Sequence, residues 1–293
     1  MPELWWCYPL IGAAVGVLAG LLGVGGGLLI VAALAWLLPL QGVPSESTLH
    51  VALATSLGSI VLTALSSGAS HHRRGAVLWT SVAWLVPGML LGGWLGAQMA
   101  GTLDTDKLRA GVAIFCVVAA GQLWHGQRQD RESANSTAPR GPLLSAAGVA
   151  IGAVSALVGI GGGSLTVPLL IARGARAVHA VGTSSVCGFC IGVASAVGYA
   201  TLSPPADLGT SFVGYLYWPG ALLIALASVW FAPLGVRVAH AMQGHHLQRL
   251  FAAFLLTMGA LTWFAPRHES QVESAAASIE HRAGSRISTA SGK

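Results

Sequence analysis

The sequence contains very little charge. Aspartate, glutamate, lysine and arginine together make up 9% of the 293 residues, whereas about 25% is usual for a soluble domain. So few charges cannot cover a water-facing surface, and a hydrophobic share of 54% also excludes an intrinsically disordered chain. This composition, with a mean hydropathy of +0.69, is typical of a membrane protein with several spans.

Motifs that would indicate an enzyme are also missing. The sequence has no P-loop, no G-x-G-x-x-G that opens a soluble nucleotide-binding unit, and no H-E-x-x-H. Cys187 and Cys190 form a C-x-x-C, but a second ligand pair for zinc is absent. No basic stripe with interleaved aromatic residues predicts nucleic-acid binding. We therefore expect no enzyme, no cofactor, no metal and no nucleic-acid partner.

The charges that are present separate long apolar stretches. A membrane span needs about 20 apolar residues, and a charge at the centre of the bilayer costs roughly 2.5–3.5 kcal/mol. The sequence therefore predicts an all-α, polytopic transmembrane helix bundle of about eight hydrophobic segments, at 8–40, 49–70, 77–99, 108–124, 142–172, 178–202, 213–236 and 249–265.

The two halves of the chain repeat each other in order. The blocks GAAVG, GVGGG, ATS and PG of the first half recur as GVAIG, GIGGG, GTS and PG in the second. The prediction is a first transmembrane repeat at 1–124, a polar loop at 125–141, a homologous second repeat at 142–265 and a disordered tail at 266–293. Each repeat has four segments. Duplication on this scale is common in secondary transporters and also occurs in channels.

A glycine triplet interrupts the first segment of each repeat. A straight helix over 8–40 or 142–172 would span roughly 45 Å, longer than a bilayer core of about 30 Å. Because glycine costs about 1 kcal/mol in a helix interior, we expect both helices to break at the triplets, as a dipping hairpin or a kinked span. The free N–H groups that begin each second half-helix favour an anion site without a basic side chain.

Hydroxyl and imidazole side chains occupy corresponding positions in the two halves. Thr55 and Ser56 match a Thr–Ser pair in the second half, and their hydroxyls either donate to an oxyanion or simply let helices approach closely. His50 and His179 precede these pairs. Each either carries a proton near neutral pH or is an ordinary polar residue at the end of a span.

The distribution of basic residues favours two segments that dip into the membrane and return. If 8–40 and 142–172 both return, most arginines share one face, whereas Lys107 and Arg109 lie on the other. If all eight segments cross, the basic residues are not concentrated on one face of the membrane. The first scheme gives each half three crossings, so the two halves are inverted relative to each other.

The segments that contain the triplets, GVLAGLLGVGGGLLIVAAL and GAVSALVGIGGGSLTVPLL, resemble the repeated signature of the TauE/SafE sulfite-exporter family. HVALATSLGSIV, HAVGTSSVCGFCIGVASAVGY and PGMLLGGWLGAQMAGTL resemble further signatures, so the resemblance spans residues 8–265. The sequence departs at Ala32, where the second half has Pro168. The resemblance implies a protein of the cytoplasmic membrane that moves sulfite, sulfonates or related small anions. It implies as substrate-binding residues Gly25, Gly26, Gly27, Thr55, Ser56, Gly161, Gly162, Gly163, Thr183 and Ser184.

The function predicted on these grounds is gradient-driven, secondary transport of a small anion. Because a nucleotide site is missing, uphill transport would draw on a proton or sodium gradient, with His50 and His179 as candidates for proton coupling. A passive anion channel is the alternative. A membrane-bound enzyme or assembly subunit would need an acidic or metal cluster, which the sequence does not offer. The expected partners are the substrate and the lipid bilayer, and the sequence leaves a homo-oligomer open.

Overall fold

The computed structural model describes residues 4–22, 26–125, 139–204, 208–241 and 244–265. The described chain is almost entirely helical, which confirms the all-α prediction, and one short antiparallel hairpin, β1–β2, pairs Phe212 with Tyr217. Gly25, the tail at 266–293 and most of the loop at 125–141 lie outside the described residues. The elements are α1 Cys7–Leu22, α2 Gly27–Leu40, α3 Ser45–Arg73, α4 Trp79–Gly101, α5 Thr105–His125, α6 Pro142–Val158, α7 Gly163–Ala172, α8 Ala177–Ala200, β1 Phe212–Val213, β2 Leu216–Tyr217, α9 Trp218–Ala241 and α10 Gly244–Trp263.

Several helices have the length and the surface of membrane spans. Ser45–Arg73, Trp79–Gly101 and Val178–Ala200 are long and apolar enough to cross a bilayer, and the shorter helices are apolar as well. Large apolar side chains cover the outer faces, for example Ile114 on α5 and Trp230 on α9. Contiguous apolar surface of this kind is unfavourable in water and suits contact with lipid, so the fold is that of an integral membrane protein.

Hydrogen bonds define two ends of the bundle. At the end that we call the first end, α3 begins beside the turn between α4 and α5. His50 Nε2 lies 3.0 Å from the carbonyl oxygen of Ala100 and 3.1 Å from that of Leu103, and Thr105 Oγ1 donates to the carbonyl of Glu46 at 2.6 Å. At the opposite, second end, α3 finishes at Arg73 and α4 begins.

The helices α1 and α2 form a hairpin that opens to the first end. Tyr8, at the start of α1, donates its hydroxyl proton to Oε1 of Gln41, which directly follows α2, at 2.6 Å. Trp36, in the last half of α2, donates from Nε1 to the carbonyl of Leu261 near the end of α10, at 3.0 Å. The chain therefore enters along α1, turns at the glycine triplet and returns along α2 to the end where it began.

The helices α6 and α7 form a second hairpin that opens to the second end. Two hydrogen bonds place the start of α6 beside the start of α4: Ser81 Oγ donates to the carbonyl of Pro139 at 2.7 Å, and Ser145 Oγ donates to that of Trp84 at 2.5 Å. The next helix, α8, also starts at this end, because Thr183 Oγ1 accepts the backbone N–H of Leu78 at 2.9 Å.

Glycines let each hairpin pack closely against a crossing helix. A Cβ on Gly12 of α1 would lie 2.5 Å from the carbonyl oxygen of Ile224 on α9. On α6, a Cβ on Gly148 would lie 2.5 Å from the carbonyl oxygen of Leu85 on α4. The helices therefore touch backbone to backbone, the form of contact that small residues favour in membranes.

The helices α3 and α8 run antiparallel through the centre of the bundle. Near the second end, Gly68 of α3 faces Val186 of α8, and towards the middle Leu57 of α3 faces Gly192. Leu57 is fully buried. Both hairpins point at the middle of this central pair.

Candidate functional site

Both long apolar segments break at their glycine triplets, as the sequence predicts. The helix α1 ends at Leu22 and α2 begins at Gly27, where the preceding Gly26 has a left-handed φ of 57°. In the second hairpin Gly159 and Gly162 have φ values of 76° and 71°. These φ values are costly for any residue with a Cβ but accessible to glycine, which explains why glycine occupies both turns.

We call residues 26–27 and 159–163 the two hairpin tips. The two tips contact each other. A Cβ on Gly27 would overlap the carbonyl oxygen of Gly159. Ser56 on α3 links the two tips, because its Oγ lies 2.8 Å from the carbonyl oxygen of Gly159 and 3.1 Å from that of Gly27. The glycine-rich turns therefore meet at the middle of the central helix pair, where Gly161 packs against Ile60.

The hydroxyl of Ser56 is engaged by the protein itself. A hydroxyl has one proton to donate, and both neighbours of Ser56 Oγ are backbone carbonyls that can only accept. In this arrangement Ser56 therefore stabilises the contact between the tips and has no proton left for an anion.

Thr55 and Thr183 occupy equivalent structural positions, and each holds the start of a helix in the opposite half. Thr55 Oγ1 accepts the N–H of Tyr217, one residue before α9, at 3.3 Å, and Thr183 Oγ1 accepts that of Leu78, one residue before α4. Both threonines are fully buried. These side chains supply acceptors to N–H groups that a helix start leaves without an internal partner.

The structure brings only part of the predicted site together. Gly26, Gly27, Ser56 and the second triplet lie at the hairpin tips. Thr183 and Ser184 lie nearer the second end, about 6–8 Å along α8 from Gly188, a residue of α8 that contacts Gly161. Ser184 is almost fully buried, and the neighbouring Ser185 makes a hydroxyl contact of 3.1 Å with Ser67 of α3.

The two candidate histidines lie at opposite ends of the bundle. The ring of His50 is buried at the first end, where Nε2 faces two carbonyls and the ring stacks on Tyr215 with 5.0 Å between centroids. His179 is partly exposed and starts α8 at the second end. A role in proton coupling stays a prediction for both residues.

Three hydroxyls that the sequence analysis did not single out lie on the second hairpin around its tip. The Oγ of Ser155 on α6 would be 3.4 Å from a Cβ on Gly162, and the backbone N–H of Thr166 on α7 donates to the carbonyl of Gly162 at 2.8 Å. Ser155 and Thr166 are fully buried. Their hydroxyls and that of Ser164 have no hydrogen-bond partner in the described part of the chain.

A comparison of the two repeats would have found these hydroxyls. When the triplets are aligned, Ser155, Ser164 and Thr166 correspond to Ala19, Leu28 and Ile30 of the first half, respectively. The two tips therefore differ in polarity, although their glycines agree.

Charge is absent from both hairpins. The ranges 7–40 and 142–172 contain no aspartate, glutamate, lysine or arginine, and the described residues include no cluster of His, Cys, Asp and Glu that could hold a metal. Lys107 Nζ lies 2.8 Å from Asp104 Oδ2 at the first end, where the ammonium lowers the pKa of that carboxyl. An anion at the tips would therefore meet hydroxyls and backbone N–H groups.

A cavity of about 470 Å³ lies elsewhere, between α1 and the last half of α2. Its lining is almost wholly apolar and includes Leu10, Trp36 and Leu40. Leu10, Trp36 and Leu40 are also exposed on the outer surface. This groove belongs to the apolar exterior and does not reach the hairpin tips.

A bundle of apolar helices with two broken hairpins that meet in its interior defines an integral membrane protein. The chain belongs to the TauE/SafE family, since the family model described as "Sulfite exporter TauE/SafE" matches residues 8–262. The family resemblance carried by the glycine and hydroxyl motifs is thereby confirmed.

Relatives from bacteria and archaea carry matching names. A "Probable membrane transporter protein" of Haemophilus influenzae is 33% identical over 85% of this chain and 94% of its own length. A protein of the same description from Methanocaldococcus jannaschii is 24% identical over 85% of this chain and 92% of its own length. No solved structure matches the chain. Family and relatives indicate a membrane transporter and not an enzyme.

Proposed function

We propose that this chain is a secondary transporter that carries a small anion, such as sulfite or a sulfonate, across the cytoplasmic membrane. The observation that carries the proposal is the meeting of two glycine-rich hairpin tips inside an uncharged bundle. Helix starts at mid-membrane offer N–H groups and a positive dipole end, which attract an anion without the cost of burying a basic side chain.

An inverted repeat accounts for the contacts between the helices. The first hairpin opens to the first end and packs on α9, and the second opens to the second end and packs on α4. The hydrogen bonds of Thr55 and Thr183 also connect the halves in both directions, because each threonine accepts an N–H group at a helix start of the other half. Inverted repeats of this kind permit two conformations related by a pseudo-two-fold axis, and alternation between them would expose the tips to either side.

The distribution of the basic residues favours one orientation of this repeat in the membrane. Arg74, Arg140, Arg173 and Arg176 flank helix ends at the second end, whereas Lys107 lies at the first. Because positive residues accumulate in cytoplasmic loops, the second end faces the cytoplasm in this proposal. The start of α1 then lies on the outer side.

The contact between the tips favours a carrier over a passive channel. The approach of Gly27 to the carbonyl of Gly159 leaves no room for even one additional carbon atom, so an ion can pass between the tips only if the hairpins move. A channel would need a continuous path. Movement coupled to a proton or sodium gradient would drive uphill transport.

Flux measurements on purified protein in liposomes test the proposal. Wild type should take up sulfite or methanesulfonate and show counterflow when the same anion is trapped inside. Gly162→Leu should abolish both, because a side chain at φ 71° strains the tip and collides with Ile191. The matched control is Gly111→Leu, which adds the same side chain where nothing lies within 4 Å of the new Cβ.

Two results would contradict the carrier. One is electrical conductance far above carrier turnover without counterflow, which would indicate a channel. The other is undiminished uptake by the Gly162→Leu protein after it has inserted normally. A gradient of protons and a gradient of sodium, imposed separately, identify the coupling ion.

A further inference from the structure

Unpartnered hydroxyls at the second hairpin tip point to an absent ligand. Ser155 and Thr166 are fully buried, and the protein offers neither hydroxyl a hydrogen-bond partner among the described residues. Buried polar groups are nearly always satisfied in folded proteins, and each exception calls for an explanation. Ser164 adds a third hydroxyl whose Oγ is shielded and without such a partner.

The start of α7 supplies donors at the same place. This ten-residue helix begins at Gly163, and its own hydrogen bonds begin with the N–H groups of Leu165 and Thr166, which both donate to Gly162. The N–H groups of Gly163 and Ser164 precede that ladder, so they are among the groups that a helix start leaves for a ligand. Ser155 Oγ points at Gly162 from the α6 side.

The first tip has the same kind of helix start, since the N–H groups of Leu29 and Ile30 both donate to Gly26, but it has none of these three hydroxyls. The corresponding positions are Ala19, Leu28 and Ile30, and Leu28 and Ile30 belong to the buried hydrophobic core. The unpartnered hydroxyls therefore lie on one side of the contact between the tips.

We propose that the hydroxyls of Ser155, Ser164 and Thr166, together with the first amide groups of α7, form the binding subsite for an oxyanion, while the first tip serves as its structural counterpart. The inference rests on the proposed transport function and refines it. Three hydroxyl donors and two N–H groups match an anion with several oxygen atoms, such as sulfite or an alkylsulfonate, since each oxygen accepts from one or two donors.

Conservative substitutions test the subsite on the full-length protein in detergent and in liposomes. The variants are Thr166→Val, Ser155→Ala and Ser164→Ala, which remove a hydroxyl and preserve most of the shape. Matched controls are Thr262→Val and Ser195→Ala, whose buried hydroxyls donate to the carbonyls of Met258 at 2.8 Å and Gly93 at 3.3 Å, respectively. The probes are sulfite, methanesulfonate and acetate.

The melting temperatures of the subsite variants and of the control variants should respond differently to the loss of a hydroxyl. Without a ligand, Thr166→Val and Ser155→Ala should melt at or above the wild-type temperature, because they delete an unsatisfied group, whereas the controls lose a bond and melt lower. The sulfite concentration for half-maximal uptake should rise about tenfold or more in the subsite variants, since a bond to a charged ligand is lost, and stay unchanged in the controls.

The outcomes separate this subsite from the transport function itself. If wild type transports sulfite or methanesulfonate and the subsite variants have wild-type half-saturation, the subsite is overturned and the transporter stands. A lower melting temperature in the subsite variants with unchanged uptake would show hydroxyls that bind a structural water, which also overturns it. If wild type moves none of the three probes, the proposed function and the subsite fall together.

Discussion

A single serine side chain joins parts of the chain that are far apart in sequence. Ser56 donates between the carbonyls of Gly27 and Gly159, the second of which lies 103 positions away. Gly159 directly follows the end of α6, where carbonyls lack a donor from their own helix, whereas Gly27 begins α2. The contact between the tips therefore depends on one hydroxyl.

We predict that Ser56→Ala lowers the free energy of unfolding by about 1–3 kcal/mol, because the buried carbonyl of Gly159 loses its donor. Ser70→Ala is the control: its hydroxyl donates to the carbonyl of Ser66 on the exposed part of the same helix, at 3.0 Å, and its loss should have little effect. Denaturation in mild detergent, followed by tryptophan fluorescence, measures both. Equal stability of the two variants would show that Ser56 does not hold the tips.

The sequence located Thr55, Ser56, Thr183 and Ser184 but could not assign their roles. A hydroxyl donates or accepts according to its neighbour, and these neighbours come from the other half of the chain. From the sequence, all four are either donors to an oxyanion or small residues that let helices approach closely. The structure shows Ser56 as a donor to carbonyls and both threonines as acceptors of backbone N–H groups.

At the scale of the helices, the approach of the two hairpins depends on Gly27. This residue begins α2 without a positive φ, so alanine is acceptable to the local backbone, but the added Cβ would overlap the carbonyl of Gly159. We predict that Gly27→Ala separates the tips and reduces transport at least tenfold while the protein still inserts. Uptake of sulfite or methanesulfonate into proteoliposomes measures the effect.

The control for this substitution is Gly111→Ala, on the exposed side of α5 where a Cβ meets nothing within 4 Å. Alanine there should leave uptake unchanged and stabilise the helix by up to about 1 kcal/mol. Full uptake by Gly27→Ala would contradict the proposal that close contact of the hairpins is required.

A second prediction at this scale concerns the start of α4. Thr183→Val removes the acceptor for the N–H of Leu78, so we expect a loss of about 1 kcal/mol in stability, the usual effect of losing a side-chain acceptor at a helix start. Thr257→Val is the control, because its hydroxyl donates to the carbonyl of Ala253 on the exposed face of α10. A smaller loss for Thr183→Val than for the control would contradict the capping role.

The helix breaks could be predicted because their cause is local. Three consecutive glycines weaken a helix whatever surrounds it, and the break before Gly27 and that before Gly163 appeared where expected. The direction of the chain after each break could not be derived from the triplets, since it depends on partners such as Gln41, which receives the hydroxyl of Tyr8. In the sequence, only the distribution of arginines in the loops indicates that each hairpin returns to the side on which it began.

For the whole molecule, the proposed topology is testable by labelling in intact cells. In a background with the four native cysteines replaced by alanine, Trp5→Cys and Glu46→Cys flank the first hairpin, and Arg140→Cys and Arg173→Cys flank the second. All four native side chains are exposed. A membrane-impermeant maleimide added outside should label the first pair and spare the second, which should react only after permeabilisation.

The two members of each pair decide between the alternative topologies. Two hairpins that return require Trp5 and Glu46 to react alike, and likewise Arg140 and Arg173. If each glycine-interrupted segment crossed the membrane, the members of a pair would lie on opposite sides and react differently. Permeabilised cells, in which all four should react, provide the control for exposure.

The unequal polarity of the two hairpin tips also bears on the history of the gene. A dimer of two first halves would bring together two tips with Ala19, Leu28 and Ile30, and a dimer of two second halves would bring together two sets of hydroxyls. Neither assembly reproduces the present combination. If both halves descend from one ancestral copy, the copies diverged at these three positions, and each half now carries side chains that the other lacks.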